Sequence, residues 1–185
     1  MKNKVNFLLP ILLLVSLLVF VISISINSPT SFNSSQGIHH GDIWSTQVYR
    51  NATGTWEAPY YGYNTYTDAG KNATRDLLGY GNAGAGFKYV GLGNTTAPSS
   101  SSTTLASEYS SGTLTRALGT YYALSQVGNW TISNTFTADA DNQVVNTTAL
   151  FNASSSGVLL AGFSFTSATL QTNDQITINA TIWAS

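Results

Sequence analysis

The chain has 185 residues, of which only 8% are charged, with a formal net charge of −1 and no cysteine. The few basic side chains form no patch, which excludes nucleic acid as an expected partner, and the absence of cysteine excludes a disulfide scaffold and a thiol nucleophile. The length allows a single domain with a substantial core behind an N-terminal targeting segment.

The first 26 residues have the pattern of an export signal. Lys2 and Lys4 form a basic start, and residues 7–26 are almost purely apolar. Because about 20 apolar residues can also span a bilayer as a helix, an uncleaved membrane anchor stays open beside a cleaved signal peptide. We therefore expect residues 1–26 to be a signal peptide or apolar N-terminal segment. The protein is expected to be extracellular, with membrane contact only during export or through such an anchor.

Residues 27–41 are polar and lack periodicity, which predicts a flexible linker before a β-rich structural domain at residues 42–185. Both histidines, His39 and His40, lie in this linker near Asp42. No third group of ligands accompanies them, so we predict no specific metal site.

The domain is predicted to begin with a strand at residues 42–50, inside a segment rich in aromatic side chains. These are Trp44, Tyr49, Trp56, Tyr60, Tyr61, Tyr63 and Tyr66. Such a cluster can stack on sugar or form an interface. Packing in the core and rim of β-strands is the interpretation that we favour.

One helix is predicted at residues 67–80, capped by Thr67 or Asp68 and ended by Gly79. A strand at 87–90 is predicted to lead into a turn at Gly91-Leu92-Gly93. Residues 94–104 then have the composition of a loop.

The second half of the chain is predicted to be a series of short strands separated by Gly, Asn and Ser. Their expected ranges are 113–124, 129–138, 143–151, 157–166 and 174–183. This spacing favours an all-β fold, an antiparallel β-sandwich or jelly-roll-like domain with one short helix.

No catalytic constellation is present in the sequence. Glu57 and Glu108 are the only glutamates, and nothing in the sequence brings them together as a glycosidase pair. Residues 139–142, Asp-Ala-Asp-Asn, lack the rest of a calcium loop and read better as a β-turn with solvated acids. We therefore predict no enzyme activity and no cofactor.

Asn-X-Ser/Thr sequons occur about twice as often as composition alone predicts, which suggests covalent N-glycans. Asn129 and Asn179 lie on the polar faces of predicted strands, where a bulky glycan can be accommodated. The candidate glycosylation sites are Asn33, Asn51, Asn72, Asn94, Asn129, Asn146, Asn152 and Asn179.

Two segments resemble a recurring order in tailed-virus structural proteins and related archaeal proteins. The first is TDAGKNATRDLLGYG followed by FKYVGLGNTTAPSSSSTTLASE, and the second is VVNTTALFNASSSGVLLAGFSFTSATLQTNDQITINATI. Together with the export signal and the sequons, the chain resembles the subunit of the archaeal thread, a thin glycosylated surface filament of Sulfolobales. The resemblance implies a homopolymer joined head to tail by donor-strand complementation, in which an N-terminal extension of one subunit completes the β-fold of the next.

Ile22, Ile24 and Ile26 lie on one side of an alternating stretch, and they are the candidate donor strand. An apolar alternating strand tethered by a polar linker is what β-augmentation requires. If cleavage falls after Ile26, the donor must come from residues 27–48, where Ile38, Ile43 and Val48 are candidates. The function expected is a structural filament subunit. The alternatives are a virion or virus-derived structural protein and a carbohydrate-binding adhesin that uses residues 44–66.

Overall fold

The computed structural model describes residues 40–79, 86–125 and 128–184, which belong to one compact unit, Ile38–Ser185. The predicted export segment, Asn33 and the candidate donor strand lie outside the described residues. The described elements are β1 (His40–Arg50), β2 (Thr55–Trp56), β3 (Tyr60–Gly62), β4 (Thr65–Tyr66), α1 (Asp68–Gly79), β5 (Tyr89–Gly93), β6 (Ala117–Leu118), β7 (Thr120–Ala123), β8 (Asn129–Thr137), β9 (Gln143–Phe151), β10 (Leu159–Leu170) and β11 (Gln175–Ala184).

Two antiparallel sheets pack face to face, so the predicted β-sandwich is confirmed. Sheet A has the order β2-β1-β11-β8-β7, with β3 also paired to β1, and sheet B has the order β4-β10-β9-β5-β6. Strands β8 and β11 pair in sheet A while β9 and β10, which lie between them in sequence, pair in sheet B. This nested pairing is a long hairpin folded across the two sheets, the arrangement on which jelly rolls are built.

The core between the sheets consists of the apolar residues that alternate along the strands. On β11, Ile176, Ile178, Ala180 and Ile182 are all buried, and the residues between them face outward. Trp44 is fully buried on β1 and packs 6.2 Å from Phe163 of β10, centroid to centroid. Period-two patterning therefore identifies the inner face of these strands correctly.

A second, smaller core covers the outer face of sheet B. Leu105 of the long loop packs there with residues of β9 and β10, namely Ala149, Phe151 and Leu159. Helix α1 lies against β10 so closely that a Cβ on Gly70 would come 2.4 Å from the carbonyl oxygen of Leu160. Glycine is therefore required where the helix crosses the strand.

The predicted helix agrees with α1 in position and capping. The Thr67 hydroxyl accepts a hydrogen bond of 2.9 Å from the Gly70 N–H, which satisfies one free donor of the first turn. The predicted turn at residues 91–93 is wrong, because Gly91 and Gly93 lie within β5. Added Cβ atoms there would approach Glu108 Oε1 to 2.8 Å and Thr147 Oγ1 to 2.7 Å, so these glycines allow close packing.

Three further boundaries differ from the prediction. The predicted linker loses its last two residues, His40 and Gly41, to β1. The predicted strand at 113–124 is a turn followed by two short strands, β6 and β7. Strand β10 continues to Leu170, four residues beyond the predicted end at 166. The prediction stopped too early because the alternation of buried and exposed residues changes phase within this strand.

Candidate functional site

Strand β10 has an unpaired edge on the side facing away from β9. β4 pairs with β10 only at Ala161 and Gly162, and no other described strand pairs with that edge up to Leu170. Such an edge presents free backbone N–H and C=O groups, which is a template for another strand. The free edge, which has no described strand partner, is therefore residues 163–170 of sheet B, although the Thr169 carbonyl accepts a hydrogen bond from Arg50.

An irregularity in the sheet shapes this free edge. Ser164 pairs with Thr147, whereas Ala168 pairs with Val145, so three residues of β10 face one residue of β9. The bulge changes the buried parity: Phe163 and Phe165 are buried before it, and Ala168 and Leu170 are buried after it. Bulges of this kind bend a strand and re-aim its side chains.

A groove opens between the free edge of β10 and the facing part of β1. A cavity of about 220 Å³ is lined by Thr46 and Val48 of β1, by Tyr60, and by Phe165 and Ala168 of β10. The ring of Phe163 lies 5.7 Å from that of Tyr60 and 5.9 Å from that of Phe165, so one end of the groove is aromatic. We call this cavity the β1–β10 groove.

The groove continues into a larger cavity of about 560 Å³, which shares Arg50 and Ser167 with it. Arg50 bridges the two sheets here, donating to Asp174 Oδ2 at 2.9 Å and to the Thr169 carbonyl at 2.6 Å. It also pairs with Glu57 at 2.6 Å. This end of the groove is therefore fixed by a charged network.

The electrostatics of this network follow from its hydrogen bonds. Burial alone would raise the pKa of Asp174, but the backbone N–H groups of Gln171 and Asn51 and the Arg50 guanidinium hold the pKa below its usual value. Burial acts to lower the pKa of Arg50, and its partners Glu57 and Asp174 outweigh this and raise it. Both groups are therefore charged, and they clamp β1 to the β10–β11 connection.

The aromatic segment 44–66 divides between core and surface. Trp44 is buried and Tyr66 is partly buried, as the favoured interpretation expects. Tyr49 is half-buried against Trp56, and the other four aromatic side chains are exposed. Trp56 is 47% exposed, Tyr60 43%, Tyr61 61% and Tyr63 80%.

The described candidate glycosylation sites fall into two groups by exposure. Asn51, Asn72 and Asn94 are exposed, in a turn, on α1 and after β5 respectively. Asn129, Asn146, Asn152 and Asn179 are half-buried. Among these four, Asn146 is distinct, because its Oδ1 is buried and has no hydrogen-bond partner in the described part of the chain.

Asn179 is held on the outer face of sheet A by its neighbours. Its Oδ1 accepts a 2.7 Å hydrogen bond from Ser133, and its Nδ2 donates to Ser45 at 3.3 Å. The second hydrogen of Nδ2, the atom that carries an N-glycan, is not used by either bond. This sequon therefore lies on the polar face of its strand with its reactive nitrogen only partly engaged.

Residues 139–142 form a turn between β8 and β9, as predicted. Asp139 accepts from the Thr113 N–H at 3.1 Å, and Asp141 from the Thr172 N–H at 2.8 Å. These backbone hydrogen bonds lower the pKa of both exposed carboxyl groups. The two acids stabilise neighbouring loops through these bonds.

Within residues 40–79, 86–125 and 128–184, no three His, Asp or Glu side chains come together as metal ligands. In the same ranges, no helix is long and apolar enough to cross a membrane. Comparison with protein-family models, with curated proteins and with solved structures finds no match for this chain.

Sequence reasoning proposed a donor strand but no acceptor for it. The β1–β10 groove joins residues more than a hundred positions apart in the chain, such as Val48 and Ala168. One local signal was available: the alternation in residues 159–170 shifts phase between Phe165 and Ala168. A phase shift inside a strand pattern indicates a bulge.

Proposed function

We propose that the protein is a structural subunit of an extracellular, glycosylated surface filament that polymerises head to tail by donor-strand complementation. The observation that carries this proposal is the free edge of β10 beside the β1–β10 groove. In this proposal, the partner is another copy of the same chain. No catalytic step, cofactor or nucleic acid has a part in it.

The chemistry of the groove suits an inserted apolar strand. Val48, Phe165 and Ala168 line it with apolar surface, and the free edge of β10 offers backbone hydrogen bonds beside that surface. A strand with isoleucine at every second position, such as Ile22, Ile24 and Ile26, would place one side chain row in the groove. The backbone bonds would supply affinity, and the groove would select the side chains.

Engineered cysteines test the proposal, because the chain has none of its own. Ile24→Cys in one preparation and Ser167→Cys in another are mixed under native assembly conditions and oxidised. A disulfide forms only when the two Cα atoms lie within about 7 Å, so we expect covalent dimers on a non-reducing gel. Because each copy has one cysteine, heterodimers can form only between molecules.

The matched control places the second cysteine on the outer face of sheet A, at Ser133. If Ile24→Cys couples equally well to Ser133→Cys and to Ser167→Cys, the proposed acceptor is wrong. If the mature protein lacks Ile24, the donor strand is not this segment, and Ile38 becomes the position to test. Ile43 and Val48, the other candidates from the sequence, lie within β1 and pair with β11, and Val48 lines the groove itself.

The exposed aromatic residues favour a second candidate, a carbohydrate-binding adhesin. Trp56 and its neighbours Tyr60, Tyr61 and Tyr63 present exposed rings on adjacent short strands and their connections. Aromatic faces stack on sugar rings. Glycan-array binding that is lost in Trp56→Ala and retained in Tyr122→Ala, which changes an exposed tyrosine on β7, would support this function. Absence of binding to any glycan would contradict it.

A virion or virus-derived structural protein remains the other alternative, with the same fold and no export. Electron microscopy of surface filaments from native cells, combined with mass spectrometry of their subunits, separates the two. Recovery of the chain from virions and not from filaments would overturn the filament proposal.

A further inference from the structure

Two carboxyl groups are buried among the described residues, and their surroundings differ. Asp174 is 2% exposed and has the Arg50 guanidinium 2.9 Å away. Asp42 is 4% exposed, and no described cation pairs with it. An ionised carboxylate that is buried without a cation is strongly disfavoured, because it loses hydration and gains no opposite charge.

Asp42 lies on the inward face near the start of β1, opposite Ile182 of β11. Its Oδ2 accepts hydrogen bonds from the indole N–H of Trp44, at 3.1 Å, and from the side-chain amide of Asn64. Asn64 lies between β3 and β4. The carboxyl group therefore ties the start of β1 to the segment that carries the chain from sheet A to sheet B.

The groups facing Asp42 are almost all neutral. On β1 the partner is Trp44, on β11 it is Ile182, and between β3 and β4 it is Asn64. On β4, Tyr66 is the titratable neighbour, and its pKa is raised by burial and by the Asp42 charge. A neutral tyrosine hydroxyl cannot compensate a carboxylate charge.

Burial raises the pKa of Asp42 from 3.8 to about 7, against the lowering effect of the Trp44 hydrogen bond. The sign follows from linkage. A carboxyl with a raised folded-state pKa takes up its proton more readily in the folded state, so stability is full below about pH 4 and falls as the pH rises towards 7. Each unit of difference between the folded-state pKa and the unfolded-state pKa corresponds to about a tenfold change in the folding equilibrium constant.

We propose that Asp42 is an acid-dependent lock on the domain: the neutral carboxylic acid suits its buried position at the start of β1, and ionisation there destabilises the fold, because the hydrogen bonds donated by Trp44 and Asn64 only partly replace the lost hydration. In mildly acidic surroundings the domain is fully locked. In neutral surroundings the same fold contains a buried charge at the start of β1 that no cation among the described residues compensates. This device does not depend on filament formation.

Three other carboxyl groups change the stability of the fold with pH in the opposite direction to Asp42. Asp139, Asp141 and Asp174 have lowered pKa values, so their contributions are present above about pH 4 and are lost as the pH falls. Stability of the native chain should therefore be greatest near about pH 4 to 5. The falling limb between about pH 4 and pH 7 is the one that we expect from Asp42.

Denaturant unfolding of the full chain between about pH 3 and pH 9 tests the lock. We expect the folding constant of the native chain to fall between tenfold and a thousandfold from pH 4.5 to pH 8.5. Asp42→Asn, which cannot ionise, should remove this limb and be more stable than the native chain at pH 8.5. His40→Gln in both backgrounds keeps a nearby histidine from contributing to the titration.

A second readout needs no variant at Asp42. The indole N–H of Trp44 donates to this carboxyl, so its proton resonance in the native chain should shift with a midpoint near pH 7. Asp174→Asn, the matched change at the other buried carboxyl, should alter the acid limb and leave this resonance unaffected. A midpoint near pH 4, or an upper limb that persists in Asp42→Asn, would overturn the proposal.

Discussion

Among the described residues the outer face of sheet A is bare, whereas the outer face of sheet B lies under a second layer. On sheet A, hydroxyl and amide side chains pair across β8 and β11: Thr131 with Thr181 at 2.8 Å, and Ser133 with Asn179 at 2.7 Å. On sheet B, helix α1 and the loop around Leu105 cover apolar residues. Only on sheet B do described segments shield outward-facing apolar residues.

This difference between the two outer faces indicates where each sheet obtains its stability. The hydroxyl pairs of sheet A replace hydrogen bonds to water with bonds of similar strength, so their net contribution is small. The cover of sheet B removes apolar surface from water, which stabilises in proportion to the area buried. The uncovered sheet is also the one that carries Asn179.

The largest effect on stability should come from breaking the Arg116–Glu108 ion pair on the outer side of sheet B. Arg116 forms a two-bond pair with Glu108, at 2.7 Å for each bond, and its guanidinium lies 3.3 Å from the ring centroid of Phe151. Arg116→Ala leaves Glu108 without its partner in a site where the two side chains are 10% and 19% exposed. We expect a loss of about 3 kcal/mol in the free energy of unfolding, measured by denaturant titration.

Lys71→Ala is the matched control, since the Lys71–Asp68 pair is exposed to 58% and 65%. Its loss should be within about 0.5 kcal/mol. Similar losses in the two variants would show that the cover does not shield the Arg116 pair from water.

A moderate effect is expected where α1 touches sheet B. Gly70→Ala would place a Cβ 2.4 Å from the Leu160 oxygen and 2.7 Å from its Cα, so the helix must move. The strain of about 1–3 kcal/mol should exceed the roughly 1 kcal/mol that alanine otherwise gains over glycine in a helix. Gly86→Ala, where nothing lies within 4 Å, should leave thermal stability almost unchanged. A stabilised Gly70→Ala would mean that the helix packs more loosely.

The smallest effect is expected on the bare face. Thr135 and Thr177 share a 2.8 Å hydrogen bond at an exposed position. Replacing both with valine removes donor and acceptor together, so the free energy of unfolding should change by less than about 1 kcal/mol. The two single variants complete a double-mutant cycle, and a coupling above about 2 kcal/mol would contradict the view that this face contributes little.

Much of this fold could be predicted from local patterns. Period-two alternation identified β8, β9 and β11 almost to the residue, and Thr67 and Gly79 marked the ends of the helix. The short strands β2, β3 and β4 were missed, because two or three residues are too few to show a period. Gly91 and Gly93 were interpreted as a turn because glycine occurs both in turns and where two segments approach closely.

The candidate site was harder to predict than the fold. Its free edge exists only because β4 stops pairing after Gly162, which depends on how segments far apart in sequence pair. The burial of Asp42 was not predicted either, since nothing adjacent in the sequence shows that Trp44 and Asn64 close over it. Sequence patterns report the face of a strand, and they do not report which neighbours a strand lacks.

The pairing of β1 with β11 has a consequence for how the domain folds. These strands are in register from Tyr49 with Gln175 to His40 with Ala184, so the first strand of sheet A is completed by the final one. Contacts between such distant residues carry a high loop-closure cost and slow the search for the native state. During synthesis from the N-terminus, β1 therefore cannot pair with β11 until nearly the whole domain has emerged.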